Sequence, residues 1–307
     1  MRSDEGYVAT PDGVRLFYRK IGNGPEVVIP NGLCCVDDFT CLADQITLIP
    51  YDLRNRGLSD QSRDGSQLCG DIHSDVDDLD AVRRYFGIVN MNLIGHSYIG
   101  LLVVLYAMKF PGHATRIVQI GPMEPEPGRK YPAHLSCGDG VMQEVFSELA
   151  SLRAEAASAD AVDFCRKAWS ILGRLYVVNP ADSTKITWGR CELPNERNFL
   201  HYWQANILPS IQKLRIVEDL VHVKASVLTI HGDRDRNAPY GGGRQWAMRL
   251  PHARLVTVPN AAHAPWIEAP DTVFGAIRTF MGGAWPESSK IITALDAGSP
   301  PGDSDSH

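Results

Sequence analysis

The chain has 307 residues, of which 44% are hydrophobic and 21% charged, and its formal net charge is −6. These values are ordinary for a globular domain, and the negative balance argues against nucleic acid as a partner. No run of about eighteen apolar residues predicts a membrane helix, and the N-terminus lacks the apolar stretch of a signal peptide. We therefore expect a soluble, cytoplasmic protein with no membrane partner.

The seven cysteines are scattered, odd in number and never spaced C-x-x-C. Free thiols in a reducing compartment fit this pattern better than a disulfide framework or a zinc site. We therefore expect free thiols and no structural metal. The cysteines are Cys34, Cys35, Cys41, Cys69, Cys137, Cys165 and Cys191.

Short apolar runs that predict strands alternate with helical periodicity along the first 122 residues and again after residue 222. The predicted strands cover residues 14–21, 26–30, 46–49, 91–94, 116–120, 225–230 and 254–258. The predicted helices cover residues 68–86, 101–110, 243–250 and 269–281. Alternating strands and helices predict an α/β fold with a mostly parallel, doubly wound sheet.

Residues 123–222 interrupt this alternation with helical periodicity and many aromatic residues. We interpret them as a helical cap inserted into one sheet domain, which is formed by residues 1–122 and 223–282. Residues 283–307 are rich in Ser, Gly, Pro and Asp, and they predict a disordered tail. Docking of the apolar run 291–295 on the domain is the less favoured alternative.

Residues 95–100 have the sequence GHSYIG and lie between a predicted strand and a predicted helix. A serine at such a sharp turn is held in a strained backbone conformation with its hydroxyl exposed, so Ser97 is a candidate nucleophile. An ordinary helix N-cap is the alternative role.

The usual pattern is G-x-S-x-G, and Ile99 occupies the place of the last glycine. We expect crowding there unless its side chain finds a pocket or Gly100 restores the clearance.

A serine hydroxyl needs a base, and the base needs an acceptor that fixes its tautomer. His263 follows the last predicted strand and is the candidate base. Asp235 follows the preceding strand and is the candidate acid, whereas Asp233 is expected to brace the turn. Glu124, just beyond the strand 116–120, is a further candidate acid.

Two backbone N–H groups are expected to stabilise the negative charge that develops on a substrate carbonyl oxygen. One belongs to Tyr98, which follows the candidate nucleophile. The other belongs to Leu33, in the loop PNGLCC after the strand 26–30. An Asn-Gly turn explains the same loop without any catalytic role.

With these residues the chain resembles the α/β-hydrolase superfamily over residues 7–281, apart from the insertion. The order Ser97, Asp235, His263 is that of the superfamily's triad, and the G-x-x-D-x-x-x-P spacing around Asp235 resembles its acid loop. Three segments are similar to the proline-iminopeptidase-like branch and its bacterial esterase relatives. They are residues 30–32 (PNG), 52–60 (DLRNRGLSD) and 191–195 (CELPN).

The resemblance implies a structural role for residues 52–60 and a cap that sets specificity. It also implies that the chain neither opens epoxides nor displaces halide, because relatives that do so carry aspartate at the position of Ser97. True proline iminopeptidases have a different elbow and need cap acids that bind the substrate amine. The four candidate acids are more simply explained as solvated helix residues. They are Glu144, Glu148, Glu192 and Glu196.

The sequence therefore predicts a cofactor-free serine hydrolase that cleaves a small ester, thioester or amide and has no metal site. The pocket candidates are Met123, Trp188 and Trp266. A proline-iminopeptidase-type aminopeptidase, a non-catalytic ligand-binding homologue, and the same triad used for carbon–carbon bond cleavage or perhydrolysis remain alternatives. A small molecule is the expected partner, and homo-oligomerisation is left open.

Overall fold

An eight-stranded sheet lies at the centre of the computed structural model, which describes residues 3–65, 67–155, 160–186, 190–193, 195–196 and 199–295. The sheet strands are β1 (Ser3–Ala9), β2 (Arg15–Ile21), β3 (Glu26–Pro30), β4 (Thr47–Tyr51), β7 (Met91–His96), β8 (Ala114–Ile120), β9 (Ser226–Gly232) and β10 (Ala253–Val258). A separate hairpin contains β5 (Arg63–Asp64) and β6 (Gln67–Leu68).

The strand order is β1-β2-β4-β3-β7-β8-β9-β10. β1 pairs antiparallel with β2 and β2 with β4, whereas every pair from β4 to β10 is parallel. The predicted mostly parallel sheet is confirmed, and its strands end at one edge. Ligands of open α/β sheets bind at that carboxyl edge.

The helices flank this sheet and fill the region between β8 and β9. They are α1 (Val36–Phe39), α2 (Ile72–Tyr85), α3 (Tyr98–Lys109), α4 (Val141–Glu155), α5 (Ala161–Leu172), α6 (Phe199–Tyr202), α7 (Leu208–Gln212), α8 (Tyr240–Arg249), α9 (Pro265–Glu268) and α10 (Pro270–Met281). Within the described ranges, none of these helices has both the length and the apolarity needed to cross a bilayer.

The sequence explains why the central elements form where they do. All five residues of β4 are buried, as expected for a parallel strand that is covered on both faces. α3 is apolar on nearly its whole circumference and packs into the core, so the strand–helix turn before it is rigidly supported. α2 is amphipathic and begins with a capping box formed by Asp71 and Ser74.

The described elements between Ile120 and Ser226 are all helical. Several hydrogen bonds and ion pairs hold this cap region on the sheet domain near residues 52–60. Asn195 Nδ2 donates to the carbonyl oxygens of Gly57 (3.2 Å) and Ser59 (2.8 Å). Arg190 Nη1 lies 3.3 Å from Asp52 Oδ1. The domain boundaries at residues 123 and 222 stay a prediction.

The segment after α10 differs from the expectation of a disordered tail. Leu255 of β10 and Lys290 exchange both backbone hydrogen bonds (2.9 and 2.8 Å). Ile292 and Leu295 pack against a small apolar cluster that includes Leu255 and Tyr240. Apolar side chains therefore hold residues 283–295 on the domain, whereas residues 296–307 lie outside the described part of the chain.

The expectation of free thiols is wrong for two of the cysteines. Cys165 of α5 and Cys191 form a disulfide whose Cα atoms are 5.7 Å apart. Both residues are buried. Folding of the cap brings together two positions separated by 26 residues, a spacing that carries no sequence signal. Cys34, Cys35, Cys41, Cys69 and Cys137 are free.

Replacing both bonded cysteines (Cys165→Ala and Cys191→Ala) is expected to lower the free energy of unfolding. Closing a loop of this length removes chain entropy from the unfolded state and contributes roughly 3 kcal/mol. Urea unfolding of the double variant, compared with Cys69→Ala as a control, measures the loss. A loss below about 0.5 kcal/mol, with the bond verified in the wild type by peptide mass mapping, would contradict this prediction.

Candidate active site

Ser97 occupies the tight turn between β7 and α3. Its backbone has φ 59° and ψ −129°, a strained conformation that L residues rarely adopt. The strand and helix pass so closely that a Cβ on Gly95 would lie 2.5 Å from the carbonyl oxygen of Ile99. The Ser97 side chain makes no capping hydrogen bond and lines a cavity. The structure therefore favours the exposed-hydroxyl interpretation over the N-cap.

Ile99 fits the elbow without displacing it. Its side chain is buried in the main core cluster. The position that has no room for a side chain is the next one, because a Cβ on Gly100 would lie 2.9 Å from Pro122 Cβ. Glycine at position 100 thus provides clearance toward the end of β8, and glycine is not needed at position 99.

Asp235 lies in the loop after β9 and is fully buried. Its Oδ1 accepts hydrogen bonds from the backbone N–H groups of Asn237 (2.8 Å) and Ala238 (2.9 Å). Its Oδ2 accepts from His263 Nδ1 (2.8 Å), and His231 Nε2 lies 3.2 Å away. Burial by itself would raise the pKa of Asp235, but His263 and His231 lower it far below its usual value. The carboxylate is therefore ionised at neutral pH.

The two competing acids lie elsewhere. Asp233 Oδ1 accepts from the backbone N–H of Asn260 (2.8 Å) and so braces the loop after β10, as the sequence suggested. Glu124 Oε1 faces the backbone N–H of Gly128 (3.4 Å). Neither carboxylate contacts His263 among the recorded hydrogen bonds of the described residues.

His263 is buried, with Nδ1 held by Asp235 and with Nε2 lacking a hydrogen-bond partner among the described residues. The Tyr176 ring of the cap covers it at 4.9 Å. A Cβ on Gly121 would lie 3.1 Å from both Asp235 Oδ2 and His263 Nδ1, and only glycine leaves that space open. The preceding residue, Ile120, accepts the backbone N–H of Ser97 (3.0 Å). The candidate serine, acid and histidine thus converge on the end of β8.

His96 links the elbow to the histidine loop. Its Nε2 lies 2.9 Å from the carbonyl oxygen of His263, and the two rings are 4.6 Å apart. Burial, with a smaller contribution from His263, lowers the pKa of His96 to about 3. His96 is therefore neutral at physiological pH, and its Nε2–H donates to that carbonyl group.

The two predicted oxyanion donors belong to the segments that follow β3 and β7, which are neighbouring strands of the sheet. Tyr98 is the first residue of α3, so its N–H has no acceptor within its own helix. Leu33 lies in a 3₁₀ turn (Gly32–Cys34) that starts after Asn31, whose φ is 54°. Asn31, Cys34 and Tyr98 line the cavity, and Leu33 is buried behind them.

A cavity of about 400 Å³ lies between the sheet edge and the cap. This is the size range of small-molecule sites. Its walls come from the elbow, the loop after β3 and three cap helices, and the described lining contains two arginines and no Asp or Glu. The cap residues on the wall are Phe146, Leu149, Ala150, Arg153, Trp169, Leu172, Leu175, Tyr176, Leu200, Trp203 and Gln204.

The three predicted pocket residues have different outcomes. Met123 lines the cavity. Trp266 does not: it is buried behind His96, and its Nε1–H donates to Asp38 Oδ2 (2.9 Å), which holds the indole away from the wall. Trp188 lies outside the described residues.

Glu268 joins the histidine loop to the cap, a role that the sequence analysis missed. Its Oε2 accepts from the backbone N–H of Ala262, beside His263, and its Oε1 accepts from Val178 N–H of the cap, both at 2.6 Å. Burial raises the pKa of this carboxyl group. One side chain thus fixes the loop of the candidate base against the cap.

Arg236 connects the loop that carries Asp235 to the cap. It donates to the carbonyl oxygens of Val177 and, at 3.3 Å, Val178, and it pairs with Asp139 (2.6 Å). The bridging roles of Glu268 and Arg236 cannot be recognised from a single sequence, because their partners are backbone groups of distant segments.

Arg56 is buried on the cavity wall and is neutralised by a cap carboxylate. Glu196 Oε1 accepts from Arg56 Nε (3.1 Å) and from Gly57 N–H (2.8 Å), and its Oε2 accepts from Arg56 Nη2 (3.0 Å). Burial would raise the pKa of Glu196, but Arg56 lowers it below its usual value. Glu196 is therefore a structural counter-ion. Glu192 forms an exposed pair with Arg166, and the exposed Glu148 pairs with the half-buried Arg174.

No group of three or more His, Cys, Asp or Glu side chains with metal-binding geometry occurs in the described ranges.

Residues 27–270 match the model of the alpha/beta hydrolase fold family. The chain is 25% identical to a bifunctional esterase/perhydrolase from Acinetobacter calcoaceticus, over 86% of this chain and 95% of that protein. It is 22% identical to a proline iminopeptidase from Pestalotiopsis fici, over 88% and 97% of the two chains. An esterase from Exiguobacterium antarcticum superposes with a TM-score of 0.70 at 14% identity, over 91% of this chain and 100% of that chain. This structural likeness shows the fold alone.

Glu268→Gln is expected to lower the free energy of unfolding by about 1.5–3 kcal/mol, because hydrogen bonds to a charged acceptor are lost or weakened. The loop that carries His263 should loosen as well. Urea unfolding and susceptibility to proteolysis near residues 260–265 measure both effects. The exposed Glu287 provides the control variant Glu287→Gln. Equal behaviour of the two variants would exclude the bridging role.

The lowered pKa of Asp235 predicts how stability depends on pH. The stabilisation is fully present above the unfolded-state pKa of about 3.9 and is lost as the pH falls toward the lower folded-state value. Wild type should therefore exceed Asp235→Asn in unfolding free energy at about pH 5, and the difference should shrink below about pH 4. Urea titrations at several pH values measure it, and a difference that grows on acidification would contradict the assignment.

Proposed function

Since this chain belongs to the alpha/beta hydrolase fold family, we propose that its hydrolase activity is that of a cofactor-free serine hydrolase. The substrate is a small ester, thioester or amide, and the reaction passes through an acyl-enzyme intermediate. The observation that carries the proposal is the buried, unpartnered Nε2 of His263. Its Nδ1–H is fixed by an ionised carboxylate, and the ring of His96, the residue before Ser97, lies 4.6 Å from the His263 ring.

In the first step Ser97 Oγ attacks the substrate carbonyl carbon while its proton passes to His263 Nε2. Asp235 holds Nδ1–H, and so keeps Nε2 free to accept and stabilises the imidazolium that forms. Ser97 Oγ and His263 Nε2 share no hydrogen bond in this structure. We expect that bond to form in the complex with substrate, since such bonds often tighten only there.

The developing oxyanion is stabilised by the N–H groups of Leu33 and Tyr98, each contributing about 10²–10³ in rate. His263 Nε2–H then protonates the leaving group, and the bond from carbonyl carbon to leaving group breaks. Water attacks the acyl-enzyme with His263 as base and releases the acid. Similarity to an esterase/perhydrolase supports acyl transfer as the chemistry.

The aminopeptidase alternative has less support. A free substrate amine needs a carboxylate partner in the cavity, because a desolvated cation is costly. The described lining has none, and Glu196 is paired with Arg56. An esterase-like activity is therefore favoured.

A fluorophosphonate probe should label the wild type and not Ser97→Ala. Hydrolysis of p-nitrophenyl acetate and butyrate should fall at least about 10³-fold in Ser97→Ala and in His263→Ala, because the nucleophile and base act as a unit. The exposed Ser151 gives the matched control Ser151→Ala, which should retain both properties. Labelling that persists in Ser97→Ala would refute the nucleophile assignment.

A further inference from the structure

Among the described residues, the one hydrogen-bond partner of the cavity-lining cation Arg153 is the neutral amide of Gln204. Phe146, Ala150 and Arg153 lie on one face of α4, line the cavity and are all exposed. Exposed residues that also form the wall mark the opening. Arg153 therefore stands where a ligand enters, on the last turn of the helix.

Two contacts connect this mouth to the elbow. The Trp203 ring packs on Tyr98, the residue after Ser97, at 4.9 Å. The next residue, Gln204, turns its amide oxygen toward the guanidinium in the orientation that satisfies both of its polar groups, and accepts from Arg153 Nη2 (2.9 Å) and Nη1 (3.2 Å). Arg153 is thus linked to the elbow through Gln204 and Trp203.

The charges around the cavity leave this guanidinium uncompensated. Of the two arginines in the described lining, Arg56 is neutralised by Glu196, and no described lining residue is Asp or Glu. The recorded ion pairs of the described residues include none for Arg153. In a chain of net charge −6, a cavity with one uncompensated positive charge attracts anions selectively.

Gln204 uses two of the five N–H donors of Arg153, and three remain. That number suits a carboxylate, which a guanidinium binds with two parallel hydrogen bonds. The same wall also contains apolar side chains such as Leu149, Leu172 and Trp203. The complementary ligand has a reactive carbonyl at one end, an apolar middle and a carboxylate at the other end.

We propose that the substrate is an ester or a related acyl compound with a terminal carboxylate, which Arg153 binds at the cavity mouth while Ser97 acts on the distant carbonyl group. This inference rests on the proposed function and deepens it by naming the substrate class.

The test compares two p-nitrophenyl esters of adipic acid, one with a free ω-carboxylate and one with that group capped as its methyl ester. In wild type, kcat/KM for the carboxylate ester should exceed that for the capped ester at least tenfold, mainly through KM. The ratio should fall as NaCl is raised from about 0.05 to 0.5 M, because salt screens an exposed charge. Arg153→Gln should reduce the ratio about tenfold or more.

Arg166→Gln is the matched control, since Arg166 is an exposed cap arginine that does not line the cavity. It should keep the wild-type ratio. A wild-type ratio near one, or an equal ratio in wild type and Arg153→Gln, would overturn the inference while hydrolysis itself supports the proposed function.

Calorimetric binding of adipate keeps the inference testable if neither ester is hydrolysed. Binding to wild type that is lost in Arg153→Gln and retained in Arg166→Gln supports a carboxylate-binding site at Arg153. In that case only the proposed hydrolase activity is refuted. Absence of adipate binding in wild type overturns the anionic site.

Discussion

The interactions of the Asp235 carboxylate are the constraint on which the candidate site depends. Two backbone N–H groups of its own loop fix its orientation, and two imidazoles share its other oxygen. A buried carboxylate without such partners would be protonated and could not hold an imidazole in one tautomer. Because Gly121 leaves the space between Asp235 and His263 open, the end of β8 also belongs to this arrangement.

The cap is part of the same arrangement. Glu268 and Arg236 tie the histidine and acid loops to Val177 and Val178, and Tyr176 covers the imidazole. A movement of this cap segment would therefore alter the position of the candidate base as well as the shape of the cavity. The position of His263 and the shape of the cavity are therefore physically coupled.

Much of the sheet and the convergence of Ser97, Asp235 and His263 could be predicted from the sequence, since buried parallel strands are short and apolar and each of these residues follows a strand. β1 was missed because it is an edge strand with six of its seven residues not buried, which gives almost no hydrophobic signal. The disulfide, the position of Trp266 and the roles of Glu196 and Glu268 depend on contacts between distant segments. Neither spacing nor periodicity encodes such contacts.

The segment after α10 pairs with β10 at Lys290, and this pairing affects how copies of the chain can associate. β10 is the last strand of the sheet, and an open strand edge offers backbone groups to which a second molecule can add a strand. Residues around Lys290 already occupy both backbone groups of Leu255 at the middle of that edge. Continuous sheet extension from one molecule to the next through β10 is thereby blocked, which leaves β1 as the other edge of the sheet.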